Sequence, residues 1–169
     1  RIRSRLVEGG RLLTLLGPGG TGKSRLARVV TASLLDDGCC FDEAWFCDLS
    51  SAVDELGVIA KVGSVLGVPL SGGQSLEDAR DTLGRSLGSR GRVLLIVDNL
   101  EQVIATAPAL LAHLLDTVPS LQLIATSREA LSIDGEERIE LEPLPVDEGV
   151  ELFVARAKEH GLEVPEVDE

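Results

Sequence analysis

Three polar signals stand at the ends of apolar runs, and each is of a type that can handle phosphate. The first is Gly17, Pro18, Gly19, Gly20, Thr21, Gly22, Lys23 and Ser24, preceded by Leu12–Leu16 and followed by residues at helical spacing. Its spacing fits G-x-x-x-x-G-K-[ST], the phosphate-binding loop. Glycines let successive backbone N–H groups converge on phosphate oxygens, because no Cβ blocks a positive φ or a close approach. The helix that follows aims its free N–H groups and positive dipole end at the same anion. Lys23 adds a mobile charge for the β- and γ-phosphates, and the Ser24 hydroxyl is placed to hold Mg²⁺. Gly17 to Ser24, with Arg25 beside them, are the expected nucleotide-binding residues.

The second signal is Val93-Leu94-Leu95-Ile96-Val97-Asp98, an apolar strand ending in a carboxylate. Beside a phosphate loop such an aspartate orients Mg²⁺, so Ser24 and Asp98 form the expected metal pair. Hydrolysis also needs a carboxylate to orient or deprotonate water, and the place after the metal aspartate is Asn99, which cannot take a proton. Glu101 is close enough to serve if the chain turns at the strand end. It fits equally well as a first-turn acid of the next helix, favoured by the dipole. The third signal is Thr126-Ser127-Arg128 after Leu123-Ile124-Ala125. An arginine at a strand's carboxyl end can read a γ-phosphate bidentately, giving a state-dependent contact. The alternative for Arg128 is a surface ion pair. Lys23, Asp98, Glu101 and Arg128 are thus the candidate catalytic residues, and slow hydrolysis is expected.

One motif points elsewhere. Leu70-Ser71-Gly72-Gly73-Gln74 matches the signature loop of ABC transporter ATPases. The interval from Lys23 is too short for the ABC helical subdomain, Asn99 stands where that family has glutamate, and no switch histidine follows at a suitable distance. With no Asn-Lys-x-Asp segment for guanine, adenine is the expected base.

The elements that must position these groups alternate in type. Arg1 to Gly10 is helix-like, and Leu12–Leu16 is the first strand, apolar throughout as expected of a parallel strand covered on both faces. Helical spacing follows over Lys23 to Leu35, a strand over Glu43–Leu49, and helices over Asp54–Leu66 and Ser75–Leu87, the last capped by Ser75 with Asp78 three positions on. Arg92 to Asp98 is the third strand. A helix over Glu101–Leu115, kinked near Pro108, leads to a fourth strand at Leu121–Thr126. A short helix around Arg128–Leu131, a fifth strand at Arg138–Leu141 and a final helix over Asp147–His160 complete the chain. The pattern predicts an α/β protein with a doubly wound parallel sheet and its ligand at the strands' carboxyl ends.

Composition narrows the function classes. The 169 residues suit one domain, and with aromatics at 2% the core must be aliphatic. No apolar run approaches the ~20 residues of a membrane span, so no membrane role is expected. Residues 134–169 carry 13 acidic and 3 basic side chains of a net charge of −12, and no basic stripe suits a phosphodiester backbone, so direct nucleic-acid binding is not expected. Cys39, Cys40 and Cys47 lack zinc-type spacing and read as reduced thiols of a cytoplasmic protein.

Taken together, Gly17–Ala27, Leu94–Glu101, Ala125–Leu131 and Leu141-Glu142-Pro143-Leu144 come in the order seen in STAND ATPases. More narrowly, the chain resembles the NB-ARC-like ATPase module of bacterial AfsR/SARP- and LuxR-type transcriptional regulators. The resemblance spans nearly the whole chain. It implies a three-layer P-loop NTPase of the AAA+-like kind, with a five-stranded parallel sheet ordered 5-1-4-3-2 and helices on both faces. It further implies a regulatory switch, closed with ADP and open to self-association with ATP, in which Lys23 and Ser24 are the phosphate-loop pair, Asp98 the Mg²⁺ aspartate and Arg128 the sensor arginine. That family places a Gly-Arg-Glu adenine motif before the first strand and a winged-helix lid after this region. Residues 1–169 therefore read as the core of a longer protein, with 161–169 a disordered tail. As an isolated piece it is expected to be a monomer, its partners being nucleotide and the parent's other domains. The other classes open at this point are an ABC-like or AAA+-like motor and a fold kept as an interaction module.

Overall fold

Alternate residues of the strands serve opposite faces of one sheet, and that period-2 pattern divides the core in two. In the computed structural model, which describes residues 1–36, 38, 41–70, 73–159 and 161, the order is α1 (Ile2–Val7), β1 (Leu12–Leu16), α2 (Lys23–Asp36), β2 (Glu43–Asp48), α3 (Glu55–Leu66) and α4 (Leu76–Gly88). Then come β3 (Val93–Asp98), a 3-10 turn (Leu100–Gln102), α5 (Ala107–Thr117), β4 (Leu121–Ser127), β5 (Glu136–Glu140) and α6 (Val146–Glu159). Leu13, Leu15, Leu94, Ile96 and Ile124 pack with Ile2 and Leu6 of α1 and Ala27 and Leu34 of α2. Their neighbours Leu12, Leu95, Val97, Leu123 and Ala125 pack on the other face against α3, α4 and α5. Burial of both faces explains why β3 is apolar from Val93 to Val97.

The sheet is parallel and ordered β2-β3-β4-β1-β5, the expected order read from the opposite edge. Its register sets Asp48 level with Asp98, and Leu15 and Leu16 level with Thr126 and Ser127. Every strand therefore delivers its last residues to one rim.

Local chemistry fixes several helix ends as the sequence anticipates. Ser75 Oγ accepts the Asp78 N–H at 3.1 Å, and Asp54 Oδ1 accepts the Gly57 N–H at 2.8 Å. Two expectations need correction. The helix predicted over 101–115 is a turn followed by a separate helix, because Pro108 lies in the first turn of α5, where its missing N–H costs nothing. No helix forms at 128–131. The Glu129 N–H goes to Ser127 Oγ at 3.1 Å, and Glu136 takes the Leu131 and Ser132 N–H groups at 2.9 and 3.0 Å, so side chains satisfy donors a helix would have used. The fifth strand also begins two residues earlier than expected, at Glu136.

Cys39 and Cys40, Ser71 and Gly72 of the transporter-like loop, and 162–169 of the expected tail lie outside the described residues. Cys47 is buried, and burial pushes its thiol up to about 11. Among the described residues, no helix is long and apolar enough to cross a membrane.

Candidate functional site

The loop between β1 and α2 is shaped by two glycines with different tasks. At Gly17 a Cβ would lie 2.4 Å from the Leu141 carbonyl oxygen, so only glycine lets the chain after β5 cross this close. That crossing is held by the Leu141 N–H donating to Leu16 O at 2.7 Å. Gly22 has φ +81°, which L side chains rarely adopt, and its carbonyl accepts the Leu26 N–H to begin α2. Between them Thr21 Oγ1 donates to Pro18 O at 2.9 Å and tightens the turn. Gly19 and Gly20 are exposed at the tip, and Arg25 is exposed on the first turn of α2.

Lys23 is only 8% exposed. Its Nζ reaches back to donate to Gly17 O at 2.7 Å and Pro18 O at 2.8 Å, which puts the ammonium inside the curve of the loop. A buried ammonium needs such acceptors, and phosphate oxygens would be stronger ones.

The neighbouring cluster is made wholly of oxygen. Ser24 Oγ donates to Asp98 Oδ1 at 2.6 Å, joining α2 to the end of β3. Thr126 Oγ1, from β4, donates to the same carboxylate oxygen and accepts the Asn99 N–H at 3.1 Å. Asp98 and Thr126 are both buried, so each polar atom depends on the others for satisfaction. A hydroxyl and one carboxylate are hard donors of the type Mg²⁺ takes together with substrate phosphates, whereas an all-protein cage would need more ligands. The described residues contain no group of three or more His, Cys, Asp or Glu side chains fit to hold a metal.

Beyond Asp98 the backbone reverses. Asn99 sits at φ +65°, ψ +41°, a left-handed conformation that asparagine tolerates better than most residues. Its Nδ2 donates to Asp48 Oδ1 at 2.9 Å, fastening the turn to β2. The Asp48 carboxyl is held below the ordinary range by the Ser50 backbone N–H first and the Asn99 amide next. The reversal carries Glu101 to the β4 side, where its Oε1 lies 3.2 Å from Arg128 Nε. Glu101 and Arg128 are therefore paired with each other. A Cβ built on Gly19 would stand 3.4 Å from Arg128 Nη2, so the guanidinium also overlies the phosphate loop.

All sequence-derived site residues thus gather at one rim, with Arg25 at its margin. Sequence reasoning gave no role to Thr126 or Asp48. The strand register brings them in: Asp48 is level with Asp98, and Thr126 follows Ala125, which is level with Val97. A cavity of about 400 Å³ adjoins the loop, lined by Leu16, Gly17, Pro18, Arg128, Leu141 and Pro143 among others. A second of about 410 Å³, between α5 and residues 132–134, contains none of the site residues.

The chain is similar to known proteins in sequence and in fold. The chain is 38% identical over 155 residues to a Mycobacterium bovis protein provisionally named an HTH-type transcriptional regulator; the match covers 90% of this chain and 16% of that protein's length. The Aeropyrum pernix ORC1 protein, solved in complex with DNA, superposes with a TM-score of 0.74 at 17% identity, covering 92% of this chain and 48% of that one. A Pyrococcus horikoshii STAND protein with a tetratricopeptide repeat sensor gives 0.62 at 18% identity, covering 94% and 25%. At such identities the two structures speak for the fold alone. The AAA domain pattern matches residues 5–134, and the chain belongs to that family of P-loop ATPase domains.

Proposed function

We propose that this AAA-type domain is an ATP-binding regulatory switch with slow hydrolysis, working inside a longer transcriptional regulator of the STAND, NB-ARC-like kind. The observation that carries the reading is the Ser24–Asp98–Thr126 cluster packed beside a loop that already encloses an ammonium. Lys23 and the loop N–H groups bind the β- and γ-phosphates, with Lys23 exchanging the Gly17 and Pro18 carbonyls for phosphate oxygens. Ser24 and Asp98 would hold Mg²⁺, which would supply positive charge against the phosphates. Thr126 keeps Asp98 aimed, and Arg128 senses whether a γ-phosphate is present. The residue after Asp98 is an amide, and the candidate base Glu101 is engaged by Arg128, which together favour slow turnover.

The placement inside a larger regulator rests on the mycobacterial relative, of which this chain spans 16%. Partners in this reading are nucleotide and the parent's other domains. The net charge of −12 argues against a nucleic-acid grip by this domain itself.

Calorimetric titration with Mg-ATP and Mg-ADP tests the proposal. Both nucleotides bind the wild-type chain, and Lys23→Ala removes measurable binding while leaving the fold intact by circular dichroism. Undiminished binding after that change defeats the reading.

A further inference from the structure

Glu101 and Arg128 form a contact that neither the loop nor the metal cluster requires. The arginine side chain is 60% exposed, the glutamate 18%. A long exposed guanidinium left alone samples many rotamers, and ordering it on a phosphate costs entropy. Here its Nε end lies 3.2 Å from Glu101 Oε1, while Nη2 lies over Gly19. The fork is thereby divided, with one edge anchored and the other facing the loop.

The anchor is itself held firmly. Glu101 lies in the 3-10 turn that follows Asn99, and Asn99 is fixed on both sides, by its amide to Asp48 and by its backbone N–H to Thr126. Among the described residues Glu101 Oε2 is buried with no hydrogen-bond partner, while Oε1 makes the Arg128 contact.

We infer that Glu101 is a positioning residue that aims Arg128 at the γ-phosphate, and not the base that activates water. The inference rests on reading this rim as a nucleotide switch. It makes a prediction that a catalytic base does not: Glu101 acts on the discrimination between triphosphate and diphosphate, and only while Arg128 is present.

The test measures affinities of the 169-residue chain for Mg-ADP and for the Mg complex of a non-hydrolysable imido analogue of ATP. Four chains are compared: wild type, Glu101→Gln, Arg128→Ala and the double variant. Glu101→Gln lowers the ratio of triphosphate to diphosphate affinity by about three- to fivefold, in keeping with a partly exposed ion pair, and changes nothing further in the Arg128→Ala background. An unchanged ratio with slower ATP hydrolysis in both backgrounds means Glu101 is a base, and overturns the inference. So does a raised ratio, which would make Glu101 a competitor of the phosphate, or an equal loss for both nucleotides, which would make it merely structural. If Glu101→Gln fails to fold, Glu101→Asp keeps the charge on a shorter arm and must lower the same ratio by a smaller factor. A wild-type chain that binds neither nucleotide removes the switch reading and this inference together. Binding with an unmoved ratio removes the inference alone.

Discussion

The centre of the sheet and its β5–α6 margin are built by opposite means. At the centre, β3 is buried from Val93 to Asp98, and the polar groups at its end are bonded to one another through three elements. At the margin, Ile139 is the one buried residue of β5 and Ala157 the one buried residue of α6. Leu144, Val146, Val150, Leu152 and Phe153 remain exposed there. The contrast teaches that the Asp98 corner inherits its geometry from the core, whereas the margin is held by the β1 ladder, a few polar locks and one backbone crossing. Substitutions graded across the two regions therefore separate them.

The largest effect is expected where the regions meet. Gly17→Ala places a Cβ 2.4 Å from the Leu141 carbonyl, a backbone atom that cannot swing away. The chain after β5 must move off the loop, at a cost of about 2–3 kcal/mol. Urea unfolding should show that loss, with Mg-nucleotide binding falling too because the same loop is displaced. At the centre, Thr126→Val removes the hydroxyl that serves both Asp98 and the Asn99 N–H, and about 2 kcal/mol of stability should go with it. Thr126→Ser should restore most of that loss in the same unfolding measurement, which a pure packing effect would not allow.

The same contrast governs what could be read before the fold was known. The centre was legible: strands β1 to β4, the loop, Asp98 and Arg128 all announce themselves by apolar runs ending in polar residues. The margin was less so. Glu136-Glu137-Arg138-Ile139-Glu140 has one core-facing residue, so apolar pattern alone places the strand start two residues late. The helix expected at 128–131 is prevented by Glu136, five and four residues after the N–H groups it takes at Leu131 and Ser132. Nor could local pattern find the Glu101–Arg128 pair. Those residues are 27 positions apart, and they meet only because Asn99 adopts a left-handed turn tied to a third strand.

The polar lock of the margin gives the next prediction. Glu136 has its side chain almost wholly buried, and burial by itself would raise its carboxyl. The Leu131 N–H and the other hydrogen bonds it receives, including Arg138, outweigh that and hold it below the ordinary glutamate value. A depressed folded value means stability that is present above the unfolded value of about 4.3 and lost as pH falls through the folded one. Glu136→Gln should thus cost about 1–2 kcal/mol at pH 7. In urea titrations repeated from pH 7 downward, the gap between wild type and variant should close below pH 4.3.

The smallest effect is expected on α6. Val146, Val150 and Phe153 fall at i, i+4 and i+7 and form one stripe, 79%, 47% and 66% exposed. If burial of that stripe stabilised this chain, Val150→Ser with Phe153→Ser would cost several kcal/mol, as paired core truncations do. With the side chains already in solvent, little transfer energy is available to lose, and the change should stay within about 0.5 kcal/mol, or roughly 2 °C in Tm. Nucleotide affinity should not change at all, because no residue of α6 takes part in the loop, the Ser24–Asp98–Thr126 cluster or the Arg128 contact. A fall in Tm of roughly 8 °C or more would mean that α6 is anchored as firmly as the helices over the sheet, and the division between centre and margin would have to be given up.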